Sequence, residues 1–213
     1  MFETVIFDLD GTLLDTLDDL MDACNHTMRT MGVPERTREE VRFFVGNGMA
    51  RLMEQALPGG RAFPRFEEAL SVMQSYYRTH NKIKTGLYPG IMELVEELHR
   101  QGKKLAVVSN KPDTSVKPLV AEFFPGLFPV AIGERPGVRR KPTPDTVLEA
   151  VKELGADLST TVYVGDSEVD VATAKNTGIP CICVTWGFRD RDVLDNAGGR
   201  WYAETPEDVL KWL

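Results

Sequence analysis

Asp8 and Asp10 stand two residues apart where an apolar run ends. Thr4-Val5-Ile6-Phe7 reads as a buried strand, and Gly11 breaks the chain directly after the acids. In an extended chain a spacing of two puts both carboxylates on the same side. Two like charges a few Å apart repel by about 4 kcal/mol at an effective dielectric near 20. Such a pair calls for a cation, a shared proton, or a separate chemical task for each member. A plain turn accounts for Asp and Gly as residue types, but not for two acids at one strand end. A calcium loop needs Gly at its sixth position and Glu at its twelfth. Counting from Asp8 finds Leu13 and Asp19 there.

Three more groups lie at expected strand ends. Ser109-Asn110-Lys111-Pro112 follows a second apolar run and opens a helix, so its hydroxyl and backbone N–H groups could receive an anion, or Ser109 or Asn110 could cap that helix. Lys141 belongs to a basic run with Arg139 and Arg140, and such runs usually form solvated faces. After it, Thr143 reads as an N-cap and Pro144 as a first-turn proline. Val162-Tyr163-Val164-Gly165-Asp166-Ser167-Glu168-Val169-Asp170 repeats the first pattern, a strand with acids at its end. Ser167 and Asp170 fit a capping box, which explains Asp170 but not Asp166.

The elements that must position these groups follow from periodicity. Leu17, Leu20, Met21, Cys24, Met28 and Met31 fall at helical spacing, and Gly32-Val33-Pro34 ends that helix. Thr37-Arg38-Glu39-Glu40 begins a second helix with a capping box. Met49 to Leu57 marks a third, and a fourth runs from about Phe66 past Tyr77. Residues 16–82 therefore read as a small all-helical module. From residue 83 onward strands alternate with helices, with strands expected at Leu105–Ser109, Pro129–Ile132, Thr161–Gly165 and Pro180–Val184, and helices from near Pro112, Thr143 and Glu168. That alternation implies an α/β fold with a doubly wound, mainly parallel sheet built from residues 1–15 and 83–213. Nearly 100 residues separate the first two strands, far more than a crossover needs, so the helical module is an insertion beside the carboxyl ends of the strands and can act as a lid.

Composition bounds the partners. Of the 213 residues 42% are hydrophobic and 27% charged, enough apolar material for a sizeable core. A net charge of −7 argues against nucleic acid and against an anionic membrane surface. Cys24, Cys181 and Cys183 form no zinc-site or disulfide pattern, and Cys181 and Cys183 alternate within a strand. No signal peptide or membrane span is legible, so the cytoplasm is expected. The sequence does not choose between monomer and homodimer.

Together the four strand-end groups resemble the haloacid dehalogenase superfamily. Its first motif matches Asp8, Asp10 and Thr12; its second, a hydroxyl ending a strand, matches Ser109; its third, a basic residue before a helix, matches Lys141; its acidic fourth matches Asp166 and Asp170. The helical insertion lies where that family carries a cap domain. The resemblance implies a phosphatase in which Asp8 is the nucleophile and forms an aspartyl phosphate, while Asp10 serves as acid and then base. It implies Mg²⁺ held by Asp8, the backbone carbonyl of Asp10 and Asp166, with Asp170 supporting them. Phosphoryl oxygens would be held by Ser109, Asn110, Thr12 and Lys141, with Lys141 also restraining Asp8.

Within that superfamily, Asp10 speaks against the dehalogenases, which lack the second aspartate. Residues 16–81 contain eight Arg and no Lys, against the phosphonate-cleaving members that use a cap lysine. No Walker lysine loop suggests a nucleotide kinase. Phe44-Val45-Gly46-Asn47-Gly48, Tyr88-Pro89-Gly90 and Val108-Ser109-Asn110-Lys111-Pro112 resemble the phosphoglycolate phosphatases. In that reading a small phosphorylated metabolite is the substrate; Gly46, Asn47 and Gly48 approach its carboxylate and Arg51 pairs with it. Gly46-Asn47-Gly48 also reads simply as a helix-to-helix turn, and His26 as a surface or packing residue. The rival activities are an inorganic pyrophosphatase, a sugar-phosphate phosphatase, a β-phosphoglucomutase-like mutase, and a phosphate-binding regulator without turnover.

Overall fold

The computed structural model describes residues 1–213. It comprises two compact units, Met1–Leu14 with Leu87–Leu213, and Asp15–Gly86. A two-stranded ribbon, β2 (Leu14–Asp15) with β3 (Gly86–Leu87), lies where the chain passes from one to the other.

The first unit is built on one six-stranded sheet. Its strands are β1 (Thr4–Phe7), β4 (Lys104–Pro112), β5 (Val130–Glu134), β6 (Thr161–Gly165), β7 (Cys181–Val184) and β8 (Trp201–Ala203), ordered β5-β4-β1-β6-β7-β8. Every pair is parallel. Thr4 to Phe7 lies beside Lys104 to Val107 on one edge and Thr161 to Val164 on the other, so β1 is central and fully buried. Alternation decides what each face packs. Val5, Phe7 and Val107 meet α5 (Ile91–Arg100) and α6 (Asp113–Phe123) on one side. Ile6, Ala106 and Tyr163 meet α7 (Asp145–Glu153) and α8 (Glu168–Thr177) on the other. Two apolar layers on one sheet are the doubly wound architecture expected from the strand–helix alternation. Strand order reverses at β1, so the loops leaving β1, β4 and β6 open onto one crevice.

Two boundaries and the segment after β7 depart most from expectation. The second strand does not stop at Ser109: β4 runs to Pro112 and α6 begins at Asp113. Proline disfavours the helical region for the residue before it, and Ser109 accepts the Lys111 N–H within the extended tail. Neither Ser109 nor Asn110 therefore caps a helix. Thr143 is not the N-cap of α7; Pro144 holds that position, and Thr143 donates its hydroxyl to the carbonyls of Arg139 and Arg140. Beyond β7 lie α9 (Arg191–Ala197), β8 and α10 (Pro206–Val209), seven, three and four residues long. Segments this short carry too little periodicity to be read.

The second unit holds four helices, α1 (Leu17–Met31), α2 (Arg38–Phe44), α3 (Gly48–Ala56) and α4 (Phe66–His80), with a 3₁₀ turn at Gly60–Ala62. Met28, Met53, Met73 and Tyr77 are buried among them. The capping box of α2 forms in both directions, Glu40 N–H to Thr37 Oγ1 at 3.2 Å and Thr37 N–H to the Glu40 carboxylate at 2.7 Å. Asp19, on α1, is buried and accepts the N–H groups of Lys84 and Thr85 and the Thr85 hydroxyl.

Candidate active site

Asp8 directly follows β1, and its N–H donates to the Val164 carbonyl on β6 at 2.9 Å. Gly11, at φ +87°, turns the chain immediately afterward. The Asp8 carboxylate lies 2.8 Å from Nζ of Lys141. Lys141 is 2% exposed, whereas its neighbour Arg139 has 73% of its side chain in solvent and pairs with Asp145. The solvated-run reading thus describes Arg139 and fails for Lys141. Nζ of Lys141 also lies 2.8 Å from Asp170 and 3.0 Å from the Tyr163 hydroxyl. An ammonium has three N–H donors, so these partners fill it. Reaching a phosphoryl oxygen would require giving one up; in this geometry Lys141 restrains Asp8.

Asp166 directly follows β6 and is also buried. It accepts the Thr12 hydroxyl at 3.2 Å and the Phe188 N–H at 2.7 Å. Close packing fixes it further, since a Cβ added at Gly11 or Gly187 would collide with its carboxylate. Asp170, at the start of α8, accepts Ser167 N–H at 3.0 Å, Ser167 Oγ at 2.6 Å and the Tyr163 hydroxyl at 3.2 Å. The capping box and the support of Lys141 are therefore one arrangement.

Asp8, Asp166 and Asp170 each offer a carboxylate oxygen within 4.8 Å of the others. Burial and then Asp170 push Asp8 well above the usual carboxylate range, against the pull of Lys141. Burial and Asp170 likewise push Asp166 up to about 7. Burial lowers Lys141, but Asp170 and Asp8 outweigh it and hold the ammonium above its ordinary value. Three buried acids facing one such ammonium leave negative charge uncompensated, and hard oxygen donors suit a divalent cation. The residues present thus fit a metal. Asp170 already accepts from Lys141, from Tyr163 and twice from Ser167, which fills the roughly four acceptor sites of a carboxylate. Asp166 accepts from Thr12 and Phe188, so Asp8 and Asp166 are the better placed to ligate it.

Asp10 has a different setting. Its Oδ1 lies 2.7 Å from Nζ of Lys111, and Ser109 Oγ approaches Oδ2 at 3.5 Å. Sequence reasoning did not single out Lys111; the available signal was its spacing of two from Ser109 in an extended segment. Nor did it find the segment after β7, where Trp186 donates its indole N–H to the Thr12 carbonyl at 3.0 Å and Arg189, 5% exposed, pairs with Glu168 at 2.8 Å. Two expected phosphate ligands are differently engaged. Thr12 is fully buried with its hydroxyl on Asp166, and the Asn110 side-chain amide donates to the Lys141 carbonyl at 3.1 Å. Both orient other site residues.

Gly46, Asn47, Gly48 and Arg51 belong to the helical unit. Gly46 and Gly48 have φ of 118° and 77°, conformations that favour glycine, and they form the turn between α2 and α3. Arg51 is half exposed and pairs with Glu54 at 3.0 Å.

Residues 5–184 match the family of haloacid dehalogenase-like hydrolases. A Pseudomonas putida phosphoglycolate phosphatase is 33% identical over 97% of this chain and 75% of its own length. A Colwellia psychrerythraea phosphoglycolate phosphatase is 29% identical, covering 98% of this chain and 95% of that protein. Among solved structures, a Lactobacillus delbrueckii subsp. bulgaricus protein provisionally named a phosphoglycolate phosphatase superposes with a TM-score of 0.95 at 38% identity, covering 99% of this chain and 98% of the other.

Proposed function

The chain belongs to the haloacid dehalogenase-like hydrolases, and from that premise we propose a Mg²⁺-dependent phosphatase that cleaves a small phosphate monoester, phosphoglycolate foremost, through an aspartyl phosphate on Asp8. One observation carries this reading: Asp8, Asp166, Asp170 and Lys141 converge in a buried cluster at the strand ends. Relatives named phosphoglycolate phosphatases, similar over nearly the whole chain, support the substrate.

In this mechanism Asp8 attacks phosphorus and Lys141 keeps the attacking carboxylate oriented. Asp10 gives a proton to the leaving oxygen and then takes one from the water that opens the aspartyl phosphate. The Ser109 hydroxyl, which approaches Asp10 Oδ2 at 3.5 Å, would turn its proton to a phosphoryl oxygen. Asp8, Asp166 and the Asp10 backbone carbonyl would hold the Mg²⁺, which when bound neutralises charge on the phosphoryl oxygens. Asp170, Thr12 and the Phe188 N–H keep these groups in place. The charge balance includes Lys111 as well as Lys141, so the site is less anionic than its four acids suggest. Three unbridged cysteines are compatible with the cytoplasm.

The test is phosphate release from phosphoglycolate, pyrophosphate, hexose phosphates and nucleotides, compared by kcat/KM with Mg²⁺ and with a chelator. Phosphoglycolate is expected to lead, and the chelator to stop turnover. Conversion of glucose 1-phosphate to glucose 6-phosphate without phosphate release would replace the hydrolase by a mutase.

A further inference from the structure

A single piece of chain addresses both oxygens of Asp10. β4 continues from Ser109 to Pro112 through a register shift that sets Ser109, Asn110 and Lys111 against the single Gly133 of β5, and in it Ser109 and Lys111 both turn toward Asp10. Lys111 therefore reaches Oδ1 at 2.7 Å while Ser109 approaches Oδ2 at 3.5 Å. The tail itself is clamped. Lys111 N–H donates to Ser109 Oγ at 3.1 Å, the Asn110 amide holds the Lys141 carbonyl, and Gly133 N–H donates to the Asp113 carboxylate at 2.9 Å. Gly133 on β5 packs so closely that any Cβ there would strike the Lys111 carbonyl. The Lys111 side chain is 3% exposed and that of Asp10 15%. Solvent thus screens this pair far less than a surface pair. Burying an ammonium costs several kcal/mol of desolvation, and nothing about packing alone calls for one here.

We infer that Lys111 is a positioning residue for the proton-transfer step, aiming the Asp10 carboxyl group at the leaving oxygen. The inference rests on the reading of Asp10 as the acid–base group. In that step the Asp8 carboxylate forms a bond to phosphorus while the bond from phosphorus to the leaving oxygen breaks. The leaving oxygen keeps the electron pair and receives the Asp10 proton. Negative charge then develops on Asp10 beside a fixed ammonium, which favours the transition state over the ground state.

Leaving-group dependence separates this role from a structural one. Alkoxides need the proton and nitrophenolate does not, and kcat/KM excludes the later opening of the aspartyl phosphate. Lys111→Met is expected to lower kcat/KM for ethyl phosphate and phosphoglycolate by about 10²-fold. The same variant should change 4-nitrophenyl phosphate by less than about fivefold, because general-acid assistance contributes little to that substrate. Lys111→Arg should recover most of the loss, since a guanidinium also pairs with a carboxylate. Equal losses on all three substrates would overturn the inference, as would a loss confined to phosphoglycolate, which would make Lys111 a ligand of the substrate carboxylate. Asp10→Asn is the control for the underlying reading. If Asp10→Asn shows the leaving-group dependence and Lys111→Met does not, the positioning role alone fails; if Asp10→Asn shows none, the acid–base assignment fails. A thermal melt of each variant identifies loss of fold.

Discussion

At the carboxyl end of the parallel sheet, Lys141 is 2% exposed and lies 2.8 Å from both Asp8 and Asp170. In the helical unit, Arg29–Glu35 and Arg65–Glu68 are just as close, yet 47% to 56% of each side chain is in solvent. Distance is the same in both places and consequence is not. Coulomb energy scales inversely with the effective dielectric, and an exposed pair also loses side-chain entropy to hold its geometry. Charges in the sheet unit constrain one another and are costly to alter singly. Most charges in the helical unit keep its faces solvated.

The strongest test of this contrast removes the proposed attacking group. Asp8→Asn keeps shape and takes away the proposed nucleophile, so turnover should fall by about 10⁴-fold or more. The variant should stay folded, because a neutral amide replaces a carboxylate that burial already disfavours. Steady-state kinetics with a thermal melt checks both halves, and substantial residual activity refutes the assignment. Next in size is Lys141→Met. It leaves Asp8 and Asp170 buried without their cation, so denaturant unfolding should show a loss of about 3–5 kcal/mol. A loss under about 1 kcal/mol would mean that solvent reaches the cluster and that the contrast with the helical unit is overstated.

A pH experiment is smaller in effect and sharper in sign. Asp166 is held at about 7 and Asp8 is also raised, both above their unfolded values. The folded state therefore binds more protons than the unfolded state between about pH 4 and 7, and stability falls as pH rises through that window. Without metal the protein should be more stable at pH 5 than at pH 7.5, by a few kcal/mol at most. Mg²⁺ favours the ionised acids, so adding it should shrink or reverse the difference. Melts at both pH values, with chelator and with Mg²⁺, give the sign. Rising stability toward pH 7.5 in chelator would show that the acids are not strained by one another.

How much of this could be read from sequence follows the same division. Asp8, Asp10 and Asp166 stand out because acids at the ends of apolar strands conflict with burial, and that conflict is visible in one dimension. Asp170, by contrast, is accounted for by its capping box and enters the site only through the resemblance. Lys111 does not stand out: beside Asn110 and Pro112 it reads as loop polarity, and only the extended backbone turns it toward Asp10. Trp186 to Arg189 were hidden because what they hold, Thr12 and Asp166, is distant in sequence. The family resemblance directs Thr12 and Asn110 to phosphate; a hydroxyl and an amide do not name their partners in sequence, and the fold supplies Asp166 and the Lys141 carbonyl instead. The four helices were legible from their period, since amphipathic spacing requires no knowledge of tertiary contacts. Substrate selection is not legible there, because exposed arginines paired at helical spacing look alike whether or not one of them meets a ligand.

The smallest prediction tests the other side of the comparison. Glu68 lies in the first turn of α4 and meets Arg65 through two hydrogen bonds, 2.8 Å and 2.6 Å, the best local geometry among the exposed pairs of the helical unit. Glu68→Gln removes the charge and keeps the shape. An exposed pair of this kind contributes about 0.2–1 kcal/mol, including its interaction with the helix N-terminus. Denaturant unfolding should therefore move by less than about 1 kcal/mol and kcat/KM by less than about twofold. Raising the salt concentration to about 1 M, where the Debye length falls to about 3 Å, should shrink even that difference. A salt-resistant loss as large as that of Lys141→Met would show that this charge is held in a low-dielectric setting too, and burial would no longer separate the two units.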